Sequence, residues 1–256
     1  WCVGLELLVR WQPEGEWTTY SGLPPARAGD NQQRVWFANA NRALRHTQTG
    51  WETVEGFGGL MALDARGFVW SWTNSTITHW TANGPVAYGS SQSGLGEVQN
   101  LVVDGQQSLW FYGKNLRDET SVAVFTSEGQ WSHPSGTGLA GKNIIRAASD
   151  ARSGAWFLLA ETPQSPRVLA WVTLEKTVFC DLPLPSINYR DSGLLVDQRG
   201  VWFFGFSGLH RLDEENGMVW NRVPGLLGNN VYAGISDGNR TCFLIDGRSG
   251  GGSGYV

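Results

Sequence analysis

The feature that most constrains this 256-residue chain is a cassette that recurs six times along it. Each copy opens with an Asp, runs through a turn of four or five residues, and enters an apolar residue followed by Trp and usually Phe. It reads Asp30…Val35-Trp36-Phe37, Asp64…Val69-Trp70, Asp104…Leu109-Trp110-Phe111, Asp150…Ala155-Trp156-Phe157, Asp197…Val201-Trp202-Phe203 and, with Cys in the Trp slot, Asp237…Thr241-Cys242-Phe243. The Trp slots are separated by 34, 40, 46, 46 and 40 residues, which is the period of a four-stranded propeller blade. A unit of that size cannot bury its apolar face alone, so the copies must stack.

The fullest copy runs from Gly193 to Asp213. Leu194 to Val196 is an apolar strand, Asp197-Gln198-Arg199-Gly200 a polar turn with Gly where a positive φ is useful, Val201 to Phe204 a β-branched and aromatic strand, and Leu209 to Leu212 a third strand. In the other copies third strands are predicted at 43–46, 76–80, 121–125 and 168–172, and fourth strands at 51–54, 85–88, 131–133, 177–180 and 218–223. The N-terminus adds a third and a fourth strand (5–11 and 16–20), and the C-terminus a first and a second (231–236 and 241–246). The expected architecture is therefore an all-β, six-bladed β-propeller of four-stranded antiparallel blades, closed by a composite blade from both termini. Closure of that kind removes open sheet edges. Gly254-Tyr255-Val256 and Trp1-Cys2-Val3-Gly4 also resemble a broken strand, which leaves seven blades as the alternative; 247–254 reads as a linker. Residues 1–256 form a single β-propeller domain on this reading, with almost no helix.

Composition narrows the function classes. The net charge is −4 and no basic run occurs, which excludes a nucleic-acid footprint. No apolar run approaches the roughly 18 residues of a membrane span, so no membrane insertion is expected. Cys2, Cys180 and Cys242 are odd in number and lack metal-ligand spacing, leaving buried free thiols or one Cys2–Cys242 bridge.

The residues with chemistry do not converge. His46, His79 and His210 fall at similar points of third strands, where packing explains them, and His133 precedes Pro134. The recurrent Asp residues suit the first position of a tight turn, where a carboxylate accepts backbone N–H groups. No catalytic residue, metal ligand or cofactor is assigned. Asn, Arg and Tyr are concentrated instead in the second-to-third and blade-to-blade connectors. Arg42, Asn74, Lys114, Arg117, Tyr189 and Arg190 are the candidate ligand-binding residues there, suited to a polar small molecule, a glycan or a protein partner. Trp80 and Trp131, near strand ends, are candidate stacking surfaces.

The leucine-rich strand, Asp-x-x-Gly turn, Val-Trp-Phe and Gly-Leu-x-Arg-Leu-Asp of 194–213 resemble the two-component-regulator propeller repeat, with weaker copies at 101–113 and 60–80. That resemblance implies a sensing or interaction propeller in the periplasm or outside the cell. Val35-Trp36-Phe37-Ala38, Leu44-Arg45-His46, Gly50-Trp51-Glu52-Thr53-Val54 and Gly58-Gly59-Leu60 are also similar to tectonin-type lectin propellers, which implies glycan binding. The Trp-Phe strand is shared with streptogramin-lyase-like propellers, so a propeller lyase or hydrolase is the alternative of another class. The absence of convergent His or Glu clusters favours a non-catalytic module.

Overall fold

The computed structural model describes residues 2–3, 7–11, 17–21, 26–29, 35–39, 42–47, 50–54, 60–64, 67–73, 75–81, 83–162, 165–182, 193–205, 208–214, 218–223, 230–236, 241–247 and 252–255. It falls into two compact units, one of 1–101 with 111–118, the other of 102–110 with 119–256. The dividing line runs through two strands of the fourth sheet.

The described strands form seven antiparallel sheets, five of four strands and two of three. The first holds β1 (Cys2–Val3), β2 (Leu7–Trp11) and β3 (Trp17–Ser21). The second is β4 (Ala26–Gly29), β5 (Val35–Asn39), β6 (Arg42–Thr47) and β7 (Gly50–Val54). The third is β8 (Leu60–Leu63), β9 (Val69–Trp72), β10 (Ile77–Thr81) and β11 (Gly84–Tyr88). One helical turn, α1 (Ser90–Ser93), precedes the fourth sheet of β12 (Leu95–Val103), β13 (Leu109–Asn115), β14 (Thr120–Phe125) and β15 (Trp131–Ser132). The fifth is β16 (Asn143–Ser149), β17 (Ala155–Ala160), β18 (Val168–Val172) and β19 (Thr177–Asp181). The sixth is β20 (Gly193–Asp197), β21 (Gly200–Gly205), β22 (Gly208–Asp213) and β23 (Val219–Arg222), and the last β24 (Asn230–Ser236), β25 (Thr241–Gly247) and β26 (Gly252–Tyr255). Every sheet is a meander of sequential neighbours, so each repeat folds as one unit, as its period demands.

The cassette has a physical basis that its spacing does not reveal. Asp104 is buried; its Oδ1 accepts the turn N–H groups of Gln106 and Ser108, both at 2.9 Å, and its Oδ2 accepts the Trp110 indole N–H at 2.8 Å. Asp64 repeats this with the Phe68 N–H and the Trp70 indole, and Asp197 with Arg199, Gly200 and the Trp202 indole. One carboxylate thus closes the turn and fixes the orientation of the core indole six or five residues later, which is why Asp and Trp recur together. Gly200 at φ +133° fulfils the positive-φ expectation for its turn. The Asp also reaches the following sheet: Gly154 N–H donates to Asp104 Oδ2 at 3.1 Å, and the Thr241 hydroxyl donates to Asp197 Oδ2.

The Trp slots are core. Trp36, Trp70, Trp110 and Trp156 are fully buried, and successive sheets of one unit pack face to face around them. Trp156, Leu158 and Leu169 of the fifth sheet meet Val201, Phe203 and Leu212 of the sixth, and Phe204 and Leu209 meet Val231, Phe243 and Ile245 of the last. Two slots depart: Trp202 is half-buried, and Cys242 carries an exposed free thiol rather than filling a core position or bridging to Cys2.

The composite blade is corrected by the strand pairing. Each chain end builds a three-stranded sheet of its own, because Gly252–Tyr255 folds back on β25 with Gly247 opposite Gly252 and Leu244 opposite Tyr255. A Gly- and Ser-rich stretch carries no packing signal, yet its backbone groups still complete a ladder. Trp80 and Trp131 are both half-buried. The Trp80 indole donates to Ser71 Oγ at 2.8 Å and lies 6.1 Å from Trp36, and Trp131 sits edge-on to Phe125 at 5.2 Å.

Candidate functional site

The connector residues expected to bind a ligand are spread over several sheets. Arg42 opens β6 opposite Asn39, and Lys114 lies near the end of β13. Arg117 comes next in the turn to β14, its backbone N–H donating to Asn115 Oδ1 at 2.8 Å. These three sit at second-to-third-strand connections of their own sheets. Asn74, Tyr189 and Arg190 lie outside the described residues.

A cavity of about 540 Å³ opens at the other kind of connection, within the second unit. Its walls are the β16–β17 turn (Asp150 to Arg152), the β20–β21 turn (Val196 to Gly200) and the end of β22 with the residue after it (Arg211 to Glu214), together with Asn221. In a four-stranded meander the first-to-second and third-to-fourth turns share one end, which is what brings these three segments together. The volume suits a small polar ligand.

The charges in this cavity are unequally committed. Arg152 Nε and Nη2 donate to the two oxygens of Asp150, each at 3.2 Å, and Nη2 also donates to Glu214 Oε2 at 2.6 Å. The hydrogen bonds to Asp150, then to Glu214, hold the Arg152 guanidinium above its ordinary range. Its carbon lies 5.3 Å from the centre of the Trp171 ring. In this copy Arg152 takes the Asp carboxylate that receives the indole in the Asp64, Asp104 and Asp197 copies, and among the described residues the buried Trp156 indole N–H has no hydrogen-bond partner. Asp197 is spent on its turn, the Trp202 indole and Thr241. Arg211 donates through Nη2 to the Arg199 carbonyl and lies 5.6 Å over the Trp202 ring.

Three of the four histidines are packed within sheets, and His133 is exposed. His79 stacks on Trp70 with ring centres 4.0 Å apart, His46 meets Trp51 edge-on at 4.8 Å, and His210 is buried in β22. Among the described residues no group of three His, Cys, Asp or Glu side chains could hold a metal ion. Burial pushes the Cys180 thiol up in pKa, and it lies beside Leu212 and Val201 in the core. Iodoacetamide at neutral pH is therefore expected to alkylate exposed Cys242 quickly and Cys180 only after denaturation, read by peptide mass spectrometry. Native labelling of Cys180 at a comparable rate would show that this core is open.

Sequence reasoning does not single out Arg152, Arg211 or Glu214, and Arg199 falls in the turn between a first and a second strand rather than in the candidate connectors. A signal is present: Arg199, Arg211 and Asp213 all flank turns of the same end within the fullest repeat. It is masked because the same residues belong to the structural consensus.

No protein-family model matches the chain, and no curated protein sequence matches it. Among solved structures it is similar to a catalytically inactive virginiamycin B lyase from Staphylococcus aureus with quinupristin, at TM-score 0.57 and 17% identity over 93% of this chain and 84% of that one. It is also similar to the extracellular domain of a hybrid two-component system from Bacteroides thetaiotaomicron, at TM-score 0.53 and 14% identity over 90% of this chain. A second structure of an extracellular domain from that organism, of a one-component system, gives TM-score 0.54 and 12% identity over 98%. The chain covers 35% and 36% of those two domains. These likenesses show the fold: all-β, mostly four-stranded antiparallel sheets, consistent with a propeller. No helix among the described residues is long and apolar enough to cross a membrane.

Proposed function

We propose that the chain is a non-catalytic binding and sensing β-propeller, its seven sheets serving as blades, which works in the periplasm or outside the cell. Its ligand would be a polar small molecule taken up in the cavity between the Asp150, Asp197 and Arg211 segments. One observation carries this reading: three of the four acids that line the cavity, Asp150, Asp197 and Glu214, are held in structural hydrogen bonds and no histidine lines it, so the cavity can hold a ligand without offering an acid–base pair. The likeness to extracellular domains of two-component systems supports it.

A thermal-shift screen of sugars, peptides and metabolites, with hits measured by calorimetry, tests the proposal. Asn221→Ala and Gln198→Ala are expected to weaken a hit by about 0.5–1.5 kcal/mol each, the usual net worth of one hydrogen bond. Arg42→Ala, Lys114→Ala and Arg117→Ala should leave it unchanged. The reverse pattern moves the site to the second-to-third-strand and blade-to-blade connectors, with Asn74, Tyr189 and Arg190 as its further members. Conversion of a hit to product, seen by mass spectrometry, overturns the non-catalytic reading in favour of a lyase or hydrolase.

A further inference from the structure

We infer that Arg211 is a carboxylate-reading fork, so that the cavity takes small polar molecules bearing a carboxylate. This rests on the cavity being the binding site. Two arginines of this one cavity are unequally paired. Arg152 already serves two carboxylates, Asp150 and Glu214. Arg211 lines the same cavity, is exposed, and pairs with no carboxylate of the protein among the described residues.

Arg211 is nonetheless held in place. Its Nη2 is tied to the Arg199 carbonyl, and its planar head lies over Trp202. Trp202 is itself fixed, because its indole N–H donates to Asp197 Oδ1 at 3.0 Å. Asp197 in turn is anchored by the turn amides and the Thr241 hydroxyl. The cation therefore rests on a rigid platform, with N–H groups that no described residue uses. A guanidinium loses little freedom when it is pre-set this way, and its fork matches the two oxygens of a carboxylate.

The nearest acid along the strand is Asp213, two residues on and so on the same face of β22; Asn221 Nδ2 lies 3.5 Å from its Oδ2. Its charge opposes an anionic ligand. Removing it is therefore expected to tighten binding, an effect with a sign that a purely structural role for Arg211 would not produce.

The carboxylate could belong to a sugar acid or to a peptide terminus, and matched probes separate the two. Calorimetry on the full chain would use glucuronate against glucose, triglycine against its C-terminal amide, and inorganic phosphate. At least one carboxylate probe is expected to bind, about tenfold or more tighter than its neutral counterpart. Arg211→Gln should bring the pair to equal affinity and Arg211→Lys should fall between, since an ammonium cannot form two parallel bonds. Asp213→Asn should tighten the carboxylate probe several-fold, and Arg146→Gln, on an exposed strand position outside the cavity, should change nothing. Should Arg211→Gln fail to fold, the direction of the Asp213→Asn effect decides between the outcomes.

Equal binding of a probe and its neutral counterpart, an affinity unmoved by Arg211→Gln, a weakening by Asp213→Asn, or binding of phosphate alone overturns the inference. If a neutral probe binds and Asn221→Ala weakens it, the binding module stands and only the carboxylate assignment falls. If no probe and no compound of the wider screen binds, both fall.

Discussion

Gly105→Ala is expected to cost the protein at least about 4 kcal/mol, a size reached by few single substitutions. A Cβ on Gly105 would stand 1.7 Å from the Ala151 carbonyl oxygen and 2.3 Å from its carbon. Those are backbone atoms, so no rotamer change relieves the clash. The obstructing turn is also tied down, since Gly105 N–H donates to the Asp150 carbonyl at 2.8 Å and Gly154 N–H donates to Asp104. Moving one turn away breaks both bonds and exposes the Asp104 carboxylate that closes its own turn. Ordinary overpacking costs about 1–3 kcal/mol because side chains can shift; here two interlocked turns would have to part. Gly89→Ala is the control. Gly89 has φ −87°, and the nearest atom to its added Cβ is Gln92 Oε1 at 3.7 Å, so its melting curve should match the parent. Thermal and urea unfolding of both variants reads the difference. A Gly105→Ala protein that melts with the parent would show that the turns do not interlock.

The interlock also bears on the cavity. The Asp150 turn that Gly105 abuts is the turn that carries Arg152 and supplies one cavity wall. A module whose ligand contacts come from short turns of several sheets needs those turns held at fixed spacing. The repeat's Asp meets that need at Asp104 and Asp197, where it bonds its own turn, its own Trp and the next sheet.

Strand identity is readable because the Trp slots mark a period and each strand alternates or runs apolar. Predicted third and fourth strands match β6, β7, β10, β14, β18, β19 and β22 to within a residue or two. The ends are not readable for a different reason. Gly252 to Tyr255 pairs through backbone alone, and nothing in its side chains distinguishes a ladder from a linker. The Cys242 slot misleads through burial: its position in the cassette implies a core thiol, whereas the last sheet leaves it exposed. The cavity is hidden by the repeat itself. Arg199, Arg211 and Asp213 sit in consensus positions, and only the three-dimensional juxtaposition with Arg152 and Glu214 shows that, among the described residues, Arg211 pairs with no carboxylate while its neighbour has two.

Trp110→Ala and Trp156→Ala are each expected to destabilise the fold by about 3–5 kcal/mol, since both indoles are fully buried between sheets. The more informative pair is Trp110→Phe against Trp156→Phe. Both lose similar volume, but only the Trp110 indole carries a hydrogen bond, at 2.8 Å to Asp104 Oδ2. Removing it leaves a buried carboxylate oxygen with the Gly154 amide as its remaining partner, which should cost about 1–3 kcal/mol beyond the packing loss. Among the described residues the Trp156 N–H has no hydrogen-bond partner, because Arg152 occupies the Asp150 carboxylate, so replacing that indole by a phenyl ring removes an unsatisfied donor. Trp110→Phe should therefore unfold at clearly lower urea than Trp156→Phe. Equal midpoints would mean that the Asp–Trp bond adds nothing to stability, and that the recurrence of the two residues together needs another cause.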